Sequence, residues 1–427
     1  MGGRPDTVRK AAALGIDVVL VQHHDHLVPE VSEWARAVFV ADYTDWEAVQ
    51  PVLAKAHGEY GFTKAITLTE PGLEPVGRIN DLFGLGGTSY RTAHLLKDKL
   101  AMRRHLTGLG GAAAAVSVAA AEAADEDAIR AFGAEHGFPI VVKPADITAS
   151  LGVHKVDSAD QIPAVWRRIE ELRARTDLPW GSFFTVGPHV VEQYIEGPEY
   201  SVEAFSFAGR HVVVAITEKL TDPNGFIELG HAQPARLDPD AARRVEECAV
   251  TLLDAVGLRD GASHTEVKLT ADGPKIIEGH NRIGGDRIVD LLEAAYGVDF
   301  ELLTVGVPFG LCEPLPARPP LIRAAATRFL GGRPGTVTAV EGDDTVREHA
   351  GVLALDITVA PGTVVDPGSN WGRCGQVIAV GEDTGSAVRL CEEMIDAITI
   401  RIDPVAEPSA GPAGDTGEEQ GEGEVVQ

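Results

Sequence analysis

Short apolar runs alternate with polar, helix-like stretches over the first 95 residues of the chain. Runs of this kind, bounded by turn residues, are typical of buried strands. The runs at residues 16–21, 37–40 and 65–68 therefore predict three strands between helices, which make a small α/β layer of residues 1–95. Residues 1–5 have the character of the turn that follows a first strand. We therefore expect that a strand is missing there or that the start is assigned late.

Residues 96–320 carry most of the polar motifs. This segment opens with a helical pattern at residues 97–106 and continues with a buried-strand pattern at residues 138–143. Two alternating runs, at residues 264–269 and 275–278, predict a pair of strands. Helices and strands therefore mix without a repeat, which predicts an α+β unit.

The last part of the chain divides into a folded unit and a tail. Residues 321–402 predict a β-rich unit that ends in a helix at residues 387–398. Its predicted turns are Arg333-Pro-Gly335, Ala360-Pro-Gly362 and Asp366-Pro-Gly368. Residues 403–427 are rich in Glu, Gly, Pro and Ala, and their apolar surface is too small to offset the entropy of ordering. We predict that they form a disordered acidic tail.

Two glutamates mark the most informative pair of strands. The Asp272-Gly273 dipeptide predicts a tight turn between the two runs. If the hairpin is symmetric about that turn, Glu266 faces a position within one residue of Glu278. Two carboxylates in opposing positions repel each other unless a cation lies between them, and Mg²⁺ is commonly bound by one or two carboxylates plus phosphates. The alternative is a solvated hairpin with two outward glutamates.

Phosphate-binding candidates lie in other segments, because the chain contains no G-x-x-x-x-G-K-[ST] loop. Lys143 ends a buried strand, and a loop of small residues with Ser150 and Gly152 follows it. Backbone N–H groups beside an ammonium suit phosphate oxygens, although a plain β-hairpin loop has the same appearance. Lys99 is a second candidate lysine and begins a basic helix. The alternative is that this basic face of the helix is simply exposed to solvent. Residues 190–203 predict a strand, a Gly-Pro turn and a second strand, and carboxylates at such a turn could hold a ribose. The alternative is an ordinary strand-turn-strand segment that carries acidic side chains without binding a ligand.

Taken in order, these elements resemble the ATP-grasp superfamily, and the resemblance covers nearly the whole chain. The narrower similarity is to the L-amino acid ligases, which join two amino acids by way of an acyl phosphate and release ADP. That similarity depends on three parts of the chain, namely residues 226–234, residues 264–269 and the C-terminal unit with Thr327-Arg328, Arg333-Pro-Gly335 and Gly372-Arg373. The resemblance implies an ATP-grasp fold with an N-terminal α/β domain, a lid at residues 112–185, a nucleotide-binding core and a C-terminal β-rich domain.

The resemblance also implies roles for individual residues. ATP would be bound by Lys99, Lys143, Ser150, Gly152, Glu192, Tyr194, Ile195 and Glu199, with Glu192, Tyr194 and Ile195 at the adenine and Glu199 at the ribose. Mg²⁺ or Mn²⁺ would be held by Glu266 and Glu278. Arg282 would stabilise the acyl-transfer centre, and His231 would orient the substrate or accept a proton. The substrate would contact Glu228, His231, Arg282, Gly284, Gly285 and Asp286.

Three positions depart from the family pattern or bear on specificity. Ala149 stands where relatives commonly have the first glycine of the phosphate loop, and we expect the added methyl to stiffen that loop. His280 stands where many members have an asparagine that supplies a third oxygen ligand. The carboxylate of Asp286 leads us to expect a cationic or hydroxylated substrate.

Charge and composition narrow the classes of partner. The formal net charge of −27 disfavours nucleic acid and anionic membrane surfaces, because both would repel the protein. The sequence shows no apolar run long enough for a membrane span and no charged region followed by an apolar one at its start, so we expect a cytoplasmic protein. Four scattered cysteines predict reduced thiols. His23, His24 and His26 could bind a metal, but their spacing after a strand equally suits a turn.

The leading hypothesis is an ATP-dependent carboxylate–amine ligase that forms a dipeptide or an amino-acid conjugate for a specialised metabolite. We expect its lid to close over ATP and exclude water. Two alternatives remain, namely a biotin-carboxylase-like carboxylase and a catalytically silent nucleotide-binding partner protein. The expected partners are small-molecule acids and amines whose identities the sequence leaves open. The oligomeric state is also open, with a homodimer as the state common among relatives.

Overall fold

A computed structural model describes residues 1–2, 4–176, 183–184, 186–222, 226–366 and 370–404. Within these ranges no helix has the length and apolar character needed to cross a membrane. The four cysteines are unpaired thiols, as predicted. The predicted tail lies outside the described residues, apart from its first two positions.

The N-terminal unit is a small α/β layer, as predicted. Its two parallel strands are β1 (Val19–Gln22) and β2 (Ala37–Val40), and its helices are α1 (Pro5–Ala13), α2 (Trp46–Tyr60) and α3 (Leu73–Phe83). The predicted strand at residues 65–68 is wrong. The carbonyl of Ile66 accepts a hydrogen bond from the Met1 ammonium at 3.0 Å, so this segment is not part of a strand ladder.

Two helices replace the single one predicted at residues 97–106. They are α4 (Tyr90–Lys97) and α5 (Lys99–Leu109), and they meet at Asp98, whose carboxylate caps α5 by accepting from the N–H of Ala101. This break places Lys99 at the first position of α5, where its side chain is buried. Arg103, which the sequence allowed to be solvated, is also buried, because α5 packs against the central and lid strands.

The next unit is a four-stranded sheet with two helices on it, which we call the lid sheet. Its strands, in spatial order, are β3 (Ala120–Glu122), β6 (His189–Gln193), β4 (Ile140–Pro144) and β5 (His154–Val156). Helices α7 (Glu126–His136) and α8 (Ile162–Ala174) pack on it over a core that includes Ile140 and Ile169, and the short helix α6 (Gly111–Ala115) precedes it. The sheet therefore extends to Gln193, past the predicted end of the lid at residue 185.

The central sheet has eight strands. In spatial order they are β11 (Gly273–His280), β10 (Gly261–Thr270), β7 (Glu199–Phe207), β8 (Arg210–Thr221), β9 (Glu228–Gln233), β12 (Ala324–Leu330), β16 (Gly375–Gly381) and β14 (Val352–Ile357). Helices α9 (Pro239–Val256), α10 (Ile288–Tyr296) and α11 (Phe300–Gly306) cover it. Since β9 pairs with β12, the sheet continues across the predicted domain boundary at residue 320.

The C-terminal unit adds a smaller sheet to these shared strands. Its strands, in spatial order, are β15 (Val364–Val365), β13 (Gly335–Glu341) and β17 (Thr399–Asp403), and its helices are α12 (Asp343–Arg347) and α13 (Thr384–Asp396). The predicted turns at residues 333–335 and 360–362 precede strands of this sheet. The predicted turn at residues 366–368 lies outside the described residues after Asp366. A mixed α/β and α+β architecture is therefore confirmed.

Candidate active site

A cavity of about 300 Å³ opens between the lid sheet and the central sheet. All the predicted site residues line it except Gly152 and Gly284. The structure thus gathers at one place side chains from positions 99 to 286.

Glu266 and Glu278 are direct partners in the register of the β10–β11 hairpin. Nζ of Lys99 lies 2.9 Å from the carboxylate of Glu278. Burial opposes ionisation of Glu278, but Lys99 and His280 outweigh it and hold its pKa well below the usual range. Burial likewise opposes ionisation of Glu266, while the ammonium of Lys219 lowers its pKa to about 2. Both carboxylates are therefore charged at neutral pH.

Glu192 is enclosed by two cations. Nζ of Lys143 lies 2.8 Å from its carboxylate, and Nε of Arg103 donates to the same group at 3.0 Å. The three side chains are buried, and the two cations overcome the effect of burial to bring the pKa of Glu192 to about 2. The carboxylate predicted to face adenine therefore also serves as the counter-ion of the phosphate-site lysine.

The loop between β4 and β5 bends through the left-handed region of the backbone. Ala149 and Ser150 have φ of 61° and 57°, and Gly152 has φ of 71°. Such values cost a non-glycine residue roughly 1–2 kcal/mol. Lys99 holds the preceding segment, because its Nζ donates to the carbonyl of Ile147 at 2.9 Å. A Cβ at Gly152 would lie 2.6 Å from the side chain of Leu172, so this glycine permits close packing even though it does not line the cavity.

The predicted adenine and ribose residues lie where β6 leads into β7. Ile195 and Tyr194 line the cavity, and the ring of Tyr194 has the ammonium of Lys268 5.4 Å from its centroid. Glu199 lies 3.2 Å from Nζ of Lys219. Burial raises the pKa of Glu199 to about 7, in spite of that ammonium.

Lys219 is a cavity residue that the sequence analysis missed. Its ammonium contacts three carboxylates, those of Glu199, Glu228 and Glu266. The lysine itself is almost fully buried, and these neighbours raise its pKa well above the usual value against the effect of burial. A sequence signal existed, because polar residues at positions 217, 219 and 221 lie on one face of a strand that is apolar before them.

A buried histidine lies behind Glu266 and was also missed as a site residue. Nδ1 of His264 lies 3.0 Å from the carboxylate of Glu203, and its Nε2 lies 3.4 Å from Glu266. Burial alone would lower the pKa of His264, but Glu203 outweighs it and raises the pKa to about 9. The imidazolium therefore orients the Glu266 carboxylate and adds a positive charge beside it.

The far end of the cavity combines β9 with the C-terminal unit. Arg373 contacts Asp286 at 2.7 Å and Glu228 at 2.9 Å, and Nε2 of His231 lies 3.2 Å from Asp286. Asn370 donates to Glu228 at 3.1 Å. The carboxylate of Asp286, from which we expected a preference for cationic substrates, is already neutralised by Arg373. The charge of Asp286 is thus balanced within the protein, and a cationic substrate is not needed to neutralise it.

Arg282 is anchored by the N-terminal unit. Its Nε donates to the carboxylate of Glu70 at 2.5 Å, and Glu70 is also 3.2 Å from Nδ1 of His280. Burial opposes ionisation of Glu70, but His280 and Arg282 hold its pKa far below the usual range. His280 in turn lies 3.0 Å from Glu278, so the residue that replaces the usual asparagine links two carboxylates.

The hairpin carboxylates fit a hard divalent cation. Glu266 and Glu278 supply ionised oxygens at opposing positions, with Lys99 beside Glu278. Mg²⁺ favours one or two carboxylates completed by phosphate oxygens and water, and adjacent ammonium groups suit those phosphates. The donor chemistry of this end of the cavity therefore agrees with a magnesium nucleotide.

Three family models match the chain in order. Residues 8–87 match an ATP-grasp N-terminal domain, residues 136–290 an ATP-grasp domain and residues 328–403 an L-amino acid ligase C-terminal domain 2. Together these matches include three of the four lid strands, every cavity-lining residue except Lys99, and most of the C-terminal unit.

Individual proteins that are similar to this chain include ligases of the same family. An alanine–anticapsin ligase of Bacillus subtilis is 26% identical over 305 residues, which are 68% of this chain and 60% of the ligase. The chain therefore spans about 60% of that relative. The protein y4rH of Sinorhizobium fredii is 28% identical over 90% of this chain and 77% of its own length. The crystal structure of an L-amino acid ligase from Bacillus licheniformis superposes with a TM-score of 0.76 at 21% identity, covering 93% of this chain and 96% of that one.

Proposed function

We propose that this chain, whose family-model matches place it in the ATP-grasp superfamily, is a C–N ligase related to the L-amino acid ligases that joins an amino acid to an amine or a second amino acid. Members of this superfamily use ATP with Mg²⁺ or Mn²⁺. The observation that supports the proposal best is the convergence of Lys99, Lys143, Glu266 and Glu278 on one cavity, next to Arg282.

The first step is transfer of the γ-phosphoryl group of ATP to an oxygen of the acid substrate. That oxygen forms the new P–O bond, the bond to the β-phosphate oxygen breaks, and ADP leaves with the electron pair. Lys99 and Lys143 would neutralise phosphate charge, and the loop containing Ser150 would offer N–H donors. Because phosphoryl transfer depends on positioning and charge stabilisation, a cavity with fixed cations suits it.

Glu266 and Glu278 would hold the metal. When bound, Mg²⁺ supplies charge neutralisation at the phosphate oxygens. The chain prepares this end of the cavity through His264, which orients Glu266, and through Lys99 and His280, which flank Glu278.

In the second step the amine nitrogen attacks the carbonyl carbon of the acyl phosphate. A tetrahedral intermediate forms, and it collapses with loss of inorganic phosphate to give the amide. Arg282 would stabilise the oxyanion. The amine proton would pass to His231, which lines the cavity and whose Nε2 lies 3.2 Å from the carboxylate of Asp286.

Water must be excluded while the acyl phosphate exists. The lid sheet forms one wall of the cavity through Val141, Lys143 and Glu192. Movement of this sheet towards the central sheet would enclose the reactants, in the way that lids of many enzymes protect reactive intermediates.

The two alternatives make different chemical demands. A carboxylase needs bicarbonate and biotin, and the structural likeness to a biotin carboxylase, at 16% identity, speaks only for a common fold. A silent nucleotide-binding protein does not need Arg282 anchored at the cavity, yet Glu70 fixes it there.

The test is ADP release from the purified protein with pairs of amino acids, with products identified by mass spectrometry. Pair-dependent ADP release and a product mass equal to both amino acids minus water are the expected results. Dependence on bicarbonate and biotin would indicate the carboxylase instead. Tight ATP binding with no ADP release across all pairs would indicate the silent protein.

A further inference from the structure

We propose that the ammonium of Lys219 occupies a position among three carboxylates that a divalent ion could otherwise take. In the nucleotide-free protein, Lys219 therefore prevents a divalent ion from binding there. The inference builds on the proposed function, since it assigns Lys219 the task of making metal binding depend on the nucleotide. The ammonium of Lys219 contacts the carboxyl groups of Glu199, Glu228 and Glu266.

Three strands bring these carboxylates together. Glu199 begins β7, Glu228 begins β9, and Glu266 lies within β10. One oxygen from each of the three lies within 4.8 Å of the others, a spacing that could hold a metal ion. Lys219 comes from β8, between β7 and β9, so its stem enters the group from within the same sheet.

The donors of the lysine match the acceptors around it. An ammonium has three N–H donors and no acceptor, and each of the three carboxylates can take one donor. Nζ lies 2.7 Å from Glu228 and 3.2 Å from Glu199, and it also contacts Glu266. The lysine side chain is only 2% exposed. The ammonium is thus held on several sides in a buried position.

The positive charge of Lys219 determines whether this group of acidic side chains can bind a metal ion. Removing the ammonium would leave three buried acidic side chains close together, and their oxygens would attract a hard cation. A lysine attached to the chain satisfies them permanently and cannot diffuse away. Glu266 and Glu278 would then remain to hold a divalent ion together with nucleotide phosphates.

Other lysines that line the cavity have simpler surroundings. Lys99 contacts the single carboxylate of Glu278, and Lys268 approaches the single carboxylate of Glu199 at 3.9 Å. Lys268 is buried to a similar degree as Lys219. Lys268→Met is therefore the matched control for Lys219→Met, because it also removes a buried ammonium but leaves Lys219 among its three carboxylates.

The experiment measures Mn²⁺ binding in the absence of nucleotide by the loss of the free-ion signal in electron paramagnetic resonance. We expect Lys219→Met to gain a Mn²⁺ site, with an affinity at least about tenfold above that of the wild-type protein. Lys219→Arg, which keeps the charge, and Lys268→Met should not gain it. The double variant Lys219→Met, Glu228→Gln should lose the gained site, which locates it.

Two results would overturn the inference. One is a folded Lys219→Met variant, checked by circular dichroism, that binds no more Mn²⁺ than the wild-type protein. The other, which does not require the Lys219→Met variant, is tight Mn²⁺ binding by the nucleotide-free wild-type protein that is lost in a Glu228→Gln variant shown by circular dichroism to be folded. Both measurements are independent of ligase activity, so a failure of the proposed reaction leaves them interpretable.

Discussion

The guanidinium of Arg282 donates from Nε to the carboxylate of Glu70 at 2.5 Å, although the two residues are 212 positions apart. This contact joins the N-terminal unit to the cavity in the central sheet. Since Glu70 is buried behind Arg282, it serves to position the arginine and to keep it charged.

Replacing Glu70 by Gln should lower kcat by roughly tenfold or more, because an electrostatic donor that loses its fixed orientation stabilises the transition state less well. KM for ATP should change little, since Glu70 does not line the cavity. Steady-state kinetics with saturating substrates measure both constants.

Glu74→Gln is the matched control for that change. Glu74 is also in the N-terminal unit and is paired with His94 and Lys97, away from the cavity. A drop in kcat of equal size in both variants would show that general loss of N-terminal packing, rather than the position of Arg282, is responsible.

Arg282→Ala should reduce ADP-coupled amide formation by about 10²–10³-fold, the usual effect of removing one oxyanion-stabilising group. The comparison is Arg287→Ala. Arg287 is likewise ion-paired, with Asp290 and Asp356, but it does not line the cavity. If product formation in Arg282→Ala matches the wild-type rate, the arginine has no part in acyl transfer.

Glu278→Gln should abolish ADP formation, because it removes a proposed metal ligand and leaves Lys99 without its carboxylate. The measurement is a coupled ADP assay across a range of Mg²⁺ concentrations. Full activity at ordinary Mg²⁺ would remove Glu278 from the metal site.

Glu192→Gln should destabilise the fold by about 3–5 kcal/mol, since it strands the buried cations Arg103 and Lys143. The pKa of the Glu192 carboxyl group is 4.5 in the unfolded chain and about 2 in the fold. Its stabilising contribution is therefore complete above pH 4.5 and is lost as the pH falls towards 2.

Chemical denaturation of Glu192→Gln and of Glu196→Gln compares the two acids. Glu196 is exposed in the turn that follows β6. A stability loss confined to Glu192→Gln supports the ion-pair role, whereas equal stability with weaker ATP binding would favour adenine contact alone.

Acid should loosen the lid sheet through His189. Burial, helped by the positive charge of Arg173, lowers the pKa of this histidine from 6.5 to about 4. Below pH 6.5 the unfolded chain therefore binds the proton more readily than the fold does. Stability is therefore lost as the pH falls from about 6.5 to about 4.

Hydrogen exchange of β4 and β6 at pH 6.5 and pH 4.5 measures this effect. His189→Gln, which cannot take up the proton, should show a smaller change over the same interval. An identical change in both proteins would assign the acid sensitivity to other groups.

Local sequence patterns were sufficient for the elements near each motif. The Asp272-Gly273 turn sets the hairpin register as far as Val267 and Ile276, so the sequence could place Glu266 within one residue of Glu278. A register shift between Glu266 and Val267, which the sequence did not predict, then makes the two glutamates direct partners. Residues 65–68 show the limit of such patterns, because an apolar run becomes a strand only where another strand pairs with it.

The sequence by itself determined the family, the order of the motifs and the chemical types that converge on the cavity, because these depend on short spacings and residue identity. Only the tertiary structure decided which charge meets which. Lys219 contacts Glu266 from 47 positions away, and Arg373 contacts Asp286 from 87 positions away. Such pairs form when packing excludes water from groups that sequence proximity does not connect, so their energies and partners exist only in the folded protein.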